Sequence, residues 1–346
     1  MQMSNRDLMD SEQAYDAFTP KLMWQEVAPH TWPASILPVL AAVCLACSGP
    51  NYVACGVGVC YSGTVPVSLS MTLVLLAISV LMQSCVNVLN DYFDYVKGVD
   101  TVENSSDDVT DAVLVYNNLN LKSVLAFAVG LLVTAFLLGI YVIYHAGFIP
   151  LGIALIGAAI VFLYSGGKTP ISYLPIGELV SGFVMGALIC LASYYSLTKS
   201  FDWMVLLYAL PLIIGIGLIM MTNNTCDIDK DIEAGRKTLP VLLGHDRALK
   251  MYHALIVIWI AAICLLSVLR AALYNGFEVP GDLAASLILV PFMLLTAYPQ
   301  LRALWRNPMV PASRDGAMPQ ILSVNITLNV YYALMLALPC AVNFVL

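Results

Sequence analysis

Two short stretches of this sequence have the residue types and spacing to hold a divalent cation. The first reads N-V-L-N-D-Y-F-D-Y-V-K-G-V-D, from Asn87 to Asp100. On a helix turning 100° per residue, Asn87, Asn90, Asp91 and Asp94 fall within an arc of roughly 100°. The second reads N-N-T-C-D-I-D-K-D, from Asn223 to Asp231. Asn223, Asn224, Asp227 and Asp231 share a similar arc, while Asp229 points away and reads as solvated. Hard divalent cations take oxygen ligands, and Mg²⁺ is usually held by one or two carboxylates together with waters and substrate phosphates. The candidate ligands are therefore Asn90, Asp91, Asp94, Asp227 and Asp231, with Asn87 and Asn224 as neutral second choices. Lys97, Lys168, Arg236 and Lys237 lie close enough in sequence to balance the charge of a bound diphosphate.

The surrounding composition makes these acids unusual. Hydrophobic residues are 60% of the 346, and only 11% are charged, against roughly 25% in a soluble domain. Of 22 acidic residues, 11 fall between Asp91 and Asp111 or between Asp227 and Glu233. An Asp at the centre of a membrane helix costs about 2.5–3.5 kcal/mol, and less near the interface, so two carboxylate faces there call for a cationic partner. The net charge of −7 thus marks a local cation site rather than an acidic surface. No basic stripe or zinc-finger spacing points to nucleic acid.

The elements that must position these faces are apolar runs of about 20 residues, each long enough for a roughly 30 Å hydrocarbon core. Nine can be placed, near 31–48, 67–93, 121–143, 149–166, 174–196, 203–224, 251–271, 283–303 and 320–345. The second and sixth end in the two acidic stretches. The expected fold is an all-α polytopic bundle of about nine transmembrane helices. A β-barrel would show short segments alternating in polarity, and none is evident. Residues 1–29 read as a polar, acidic tail without the features of a secretory signal, and residues 30–346 as one transmembrane domain.

Orientation follows from the cations. With the N-terminus inside, Arg6, Lys21, Lys97, Lys122, Lys168, Lys230, Arg236, Lys237, Arg247, Lys250, Arg302, Arg306 and Arg314 all fall on the cytoplasmic side. Only Lys199 and Arg270 are left outside, which the positive-inside rule favours strongly. The expected location is the plasma membrane, with both acidic stretches facing the cytoplasm and the C-terminus outside. Lys122 and Arg247 read as purely topological charges. The nine cysteines are scattered. Cys44 and Cys47 have C-x-x-C spacing inside an apolar run and read as small buried residues. Cys55 and Cys60 fall in an outside loop, where a disulfide is open.

On these residues the sequence resembles the UbiA superfamily of intramembrane prenyltransferases. Asn90, Asp91 and Asp94 resemble its N-D-x-x-D motif, and Asp227 and Asp231 its D-x-x-x-D motif. The branch it resembles most is that of the 1,4-dihydroxy-2-naphthoate polyprenyltransferases of menaquinone synthesis. N-D-Y-F-D-Y-V-K-G-V-D, Y-S-G-G-K-T-P-I-S-Y-L-P-I-G-E from Tyr164 to Glu178, and the stretch from Asn223 to Gly244 each resemble that branch. Two positions depart: Cys226 and Ala28 stand where these proteins usually carry Arg.

The resemblance implies Mg²⁺-assisted ionisation of a polyprenyl diphosphate, with Asp91, Asp94, Asp227 and Asp231 as the catalytic acids. Attack by an aromatic acceptor follows and, in this branch, loss of CO₂. Cations and metal would stabilise the leaving group as its charge develops. Tyr164 and Tyr173 could face the cation through their π systems or orient the acceptor. His30, Glu178 and Asp100 have open roles. Other acceptors known for the superfamily are 4-hydroxybenzoate, a chlorophyll precursor, haem and a glycerol phosphate. Two other classes fit less well. A cation transporter would place acids near the midplane on broken helices, and a CDP-alcohol phosphotransferase would carry a D-G-x-x-A-R run, which is absent.

Overall fold

The computed structural model describes the backbone of residues 15–48, 50–55, 58–64, 67–102, 112–274 and 280–343, and the side chains of 15–48, 67–102, 112–271 and 286–338. The chain is helical. Its long helices are α1 (Pro33–Cys47), α2 (Leu69–Val96), α3 (Leu121–Ala146), α4 (Ile149–Ser165), α5 (Gly177–Thr198), α6 (Leu210–Cys226), α7 (His245–Tyr274), α8 (Pro280–Arg306) and α9 (Arg314–Asn343). Among the described residues, six helices are long and apolar enough to cross a membrane. A seventh span arises if residues 20–31 and α1, bent by 52°, count as one, and α4 and α6 are shorter apolar helices. The architecture is a polytopic membrane bundle.

One feature departs from an all-α chain. Strands β1 (Pro50–Cys55) and β2 (Gly58–Thr64) form an antiparallel hairpin between α1 and α2. Tyr, Val and Thr in these residues favour extended backbone, and the stretch is too short for a further span. The register sets Val53 opposite Cys60 and Cys55 opposite Gly58; the Cys55 and Cys60 side chains lie outside the described residues. Cys44 and Cys47 lie on α1 and are each partly buried.

The start of the described chain is packed rather than trailing. A short helix, Pro20–Glu26, is capped by Thr19. It leads through Ala28, in the left-handed region at φ 44°, into a 3₁₀ turn at Pro29–Thr31. The Phe18 ring meets Phe127 of α3 edge-on at 5.5 Å. The Asp16 and Asn118 backbones join, with Asp16 N–H donating to Asn118 O at 2.9 Å. Val27 is buried with Val88 of α2 and Val124 of α3. Phe18, Leu22 and Val27 therefore anchor this segment to α2 and α3.

The bundle has a buried interior and an apolar outer shell. Trp259, Tyr252 and Tyr332 are fully buried, joining α7 and α9 to α6. Phe136, Leu137, Phe162, Val257 and Leu295 are large, apolar and exposed, the surface expected of helices facing lipid, where the chain must satisfy its own backbone polar groups. Small residues set the closest crossing. A Cβ at Gly182 would lie 2.4 Å from the Ile213 carbonyl oxygen, and one at Gly186 2.7 Å from the Ile213 nitrogen. Glycine there lets α5 and α6 touch backbone to backbone. That crossing fixes the helix carrying the second acidic stretch against the helix that begins at Gly177.

Candidate active site

The last turns of α2 carry the first stretch. Asn87 is spent on structure: its Nδ2 donates to Val27 O and to Thr31 Oγ1, both at 2.9 Å, and its Oδ1 accepts from Gln83 at 3.1 Å. It ties α2 to the bend before α1 instead of facing a ligand with Asn90 and Asp94. Asn90 Oδ1 accepts the hydroxyl hydrogen of Ser165, at the end of α4. Asp94 Oδ1 receives Arg236 Nη2 at 2.6 Å. Asp91 lies half-buried on the same turns. Past the helix, Gly98 at φ 69° allows a tight reversal in which the Val99 and Asp100 amides donate to Asp94 O. This turn brings Asp100 to Lys230, with Nζ and Oδ1 2.7 Å apart.

The second stretch differs from the continuous helical face expected. α6 ends at Cys226, and Asp227 sits at the break with φ −103° and ψ 19°. A short helix, Ile228–Glu233, resumes and carries Lys230 and Asp231. The amide of Asp231 still donates to Asp227 O at 2.8 Å, so the two acids stay one turn apart. Asn224 Nδ2 donates to Glu178 Oε1 at 2.8 Å, across the glycine crossing. Asp229 is exposed, as its off-face position implies.

Arg236 joins the two stretches. Gly235 at φ 69° turns the chain back, and the Arg236 amide donates to Asp231 O at 2.7 Å. Its guanidinium then reaches Asp94 through Nη2 and Asp231 Oδ1 through Nη1, at 3.6 Å. Asp231 is only 2% exposed, and its Oδ2 also accepts from Thr238 at 3.0 Å. The Tyr173 ring backs the cations, 5.0 Å from the Arg236 guanidinium and 5.3 Å from Lys97 Nζ. Lys97 Nζ also donates to Ser165 O. Tyr173 thus contacts two fixed charges of the protein.

The electrostatics follow from burial. Burial pushes the Asp231 carboxyl up from 3.8 to about 6, against the pull of Arg236 and Thr238. Asp227 is likewise raised by burial, with Arg314 opposing. Burial works against the Arg236 charge, but Asp94 and Asp231 outweigh it and hold its pKa above the ordinary arginine value. Lys97 is lowered by burial despite Asp94.

Several buried polar atoms have no partner among the described residues: Arg236 Nε, the Tyr164 hydroxyl and Glu178 Oε2. The Tyr164 hydroxyl would stand 3.5 Å from a Cβ at Gly177, beside Glu178. Lys168 and Lys237 are exposed on neighbouring loops, and the Lys237 amide donates to Tyr173 O. His30 is exposed. No three His, Cys, Asp or Glu side chains converge on a point among the described residues. The available donors are hard oxygens on two facing helix ends. Arg236 engages one oxygen of Asp94, and an orphaned guanidinium N–H lies beside it. This donor set suits Mg²⁺ completed by substrate phosphate, not a cage built from protein alone.

Sequence reasoning missed Ser165, Thr238, Lys230 and Arg314 as members of this cluster. Arg314, at the start of α9, donates from Nη2 to Asn223 Oδ1 at 2.8 Å and sets Nε 3.4 Å from Asp227 Oδ2. It stands in no motif. Its only signal was a lone arginine at the edge of the last apolar run.

Comparison with known proteins adds identity to this geometry. The UbiA prenyltransferase family matches residues 51–312. A 1,4-dihydroxy-2-naphthoate octaprenyltransferase of Bacillus subtilis (strain 168) is 33% identical over 234 residues, 68% of this chain and 70% of that protein. A UbiA prenyltransferase domain-containing protein 1 homolog of Drosophila melanogaster is 32% identical over 188 residues, which is 54% of this chain and about half of that protein, 51%. The fold is similar to that of a UbiA homolog from Archaeoglobus fulgidus bound to DMAPP and Mg²⁺. The TM-score is 0.56 at 16% identity, and the match covers 94% of this chain and 99% of that one.

Proposed function

We propose that this chain, which belongs to the UbiA prenyltransferase family and is a membrane prenyltransferase, moves a polyprenyl group from its diphosphate onto 1,4-dihydroxy-2-naphthoate with loss of CO₂. The observation that carries this reading is the Arg236 bridge: one guanidinium touches Asp94 of the first stretch and Asp231 of the second. Two acidic helix ends held this close form a cleft suited to a metal–diphosphate. The relative with 33% identity carries the name of a naphthoate octaprenyltransferase, and a structural neighbour holds a prenyl diphosphate with Mg²⁺.

Asn90, Asp91 and Asp94 on one side, with Asn224, Asp227 and Asp231 on the other, are the proposed ligand faces. Bound there, Mg²⁺ would neutralise charge on the departing diphosphate. The protein supplies the rest. Arg236, with its free Nε–H, and Lys97 hold the diphosphate oxygens as the allylic C–O bond breaks. Lys168 and Lys237 add a positive rim. Tyr173 fixes the two inner cations in place. The Tyr164 hydroxyl and Glu178 Oε2 are the polar groups offered to the acceptor. Asn87 acts as a hinge tie. The prenyl tail lies among the apolar helices, away from water, which protects the allylic cation.

In this reading the nine helices all span the plasma membrane, with the N-terminus and the site cytoplasmic and the C-terminus outside. The thirteen-to-two division of Lys and Arg supports it, as do the ion pairs that gather three loops at one end of the bundle. The test is purified protein with Mg²⁺, a polyprenyl diphosphate and separate acceptors: the dihydroxynaphthoate, 4-hydroxybenzoate, a glycerol phosphate and haem. A decarboxylated prenylnaphthalene product from the first alone is expected. Turnover of another acceptor with none from the dihydroxynaphthoate would overturn the assignment.

A further inference from the structure

Both acidic stretches lie at helix ends that their residue spacing marks out, yet a third segment reaches the site. The loop before α9 is held tightly. Asn307 Oδ1 accepts from the Ser313 hydroxyl at 2.8 Å and from the Met309 amide at 2.9 Å. His245 Nε2 lies 2.9 Å from Pro308 O, which fastens the loop to the start of α7. Met309 is fully buried. Arg314 therefore projects from a rigid base. Its guanidinium reaches Asn223 and Asp227, four residues apart, on either side of the point where α6 breaks. Cys226, between them, is 1% exposed and, as a buried thiol, carries no charge to this spot.

We propose that Arg314 is a positioning residue of the diphosphate site: it bridges Asn223 and Asp227 across the helix break and sets a fixed positive charge beside the Asp227 carboxylate. This rests on the metal–diphosphate reading above. The ion pair engages one Asp227 oxygen, Oδ2, at 3.4 Å, and in this proposal the other oxygen is the one that meets the ligand. Removing Arg314 frees the break at Asp227 to move and leaves a half-buried acid without its guanidinium. Cys226 also borders a cavity of about 170 Å³ whose other walls include Ile228, His245, Met309 and Pro311. A longer side chain at 226 has room there, and arginine at this position would return a positive charge next to Asp227 in the chain.

The experiment uses the full chain in detergent and four proteins: parent, Arg314→Gln, Arg314→Lys, and Arg314→Gln combined with Cys226→Arg. Binding of inorganic diphosphate in the presence of Mg²⁺ is measured by calorimetry, alongside the Mg²⁺ dependence of prenyl transfer. Arg314→Gln is expected to weaken binding about tenfold or more, the scale of one charged hydrogen-bonded contact. Arg314→Lys should lie between it and the parent, since it keeps charge but not the fork. Cys226→Arg should restore most of the loss, which a purely structural Arg314 does not allow. Parent-like affinity in Arg314→Gln, or a double variant as weak as the single one, overturns the proposal. A parent that binds no Mg²⁺–diphosphate overturns the reading of the site itself.

Discussion

Asp231 shows what a functional carboxylate costs. It is 2% exposed, and burial raises its pKa from 3.8 to about 6. A raised acid disfavours the fold once it is ionised. The cost is present above pH about 6 and fades as the pH falls towards the unfolded value near 4. Asp231→Asn therefore removes a charge that the fold holds at a loss. At neutral pH the variant is expected to melt no lower than the parent, and its advantage should shrink between pH 6 and 4. Prenyl transfer should nonetheless fall by two or more orders of magnitude, on the order of losing one electrostatic catalytic group. Melting curves across pH, set beside turnover, check both halves. A less stable variant that keeps its activity would contradict the role given to Asp231. Spacing and resemblance singled out Asp94 and Arg236 as candidates. Their shared bond was not legible, because 142 residues separate them. Asn87 had the right spacing but the wrong neighbours: Val27 O and Thr31 take up its amide.

At the scale of elements, the apolar runs foretold where helices lie because a span needs unbroken hydrophobic length. They did not foretell breaks. The stop at Asp227 and the bend at Ala28 depend on local backbone conformation, which hydropathy does not encode. The β1–β2 hairpin was hidden because a short stretch between two apolar runs reads only as an outside loop until its strands pair. The closeness of α5 and α6 was also invisible, since Gly182 and Gly186 look like ordinary membrane glycines until Ile213 is set against them. Their packing fixes Glu178 beside Asn224. A Cβ at Gly186 would meet Ile213 backbone, which cannot rotate away. Gly186→Val should therefore cost about 1–3 kcal/mol by overpacking. It should lower the melting temperature in detergent and reduce activity with it. A variant with parent stability would show that the crossing is looser than described.

Among the described residues, the Lys–Asp and Arg–Asp pairs gather at one end of the molecule. Lys230 with Asp100, Arg236 with Asp94 and Asp231, and Arg314 with Asp227 bring three connecting segments together. Elsewhere the described helices present an apolar shell. Acids near hydrocarbon are stabilised by cationic partners, and Asp94, Asp100, Asp227 and Asp231 each have one here. The composition announced this arrangement early, with half of all acids in two short stretches. What it left out was the third segment, because one arginine beside an apolar run carries no pattern. The most direct measurement is Mg²⁺-dependent prenyl transfer by membranes bearing Asp91→Ala or Asp227→Ala, with insertion of each variant verified by immunodetection. Full insertion and no detectable transfer are expected of either variant. Transfer at parent rates in both, from properly inserted protein, would contradict a metal–diphosphate site at these helix ends.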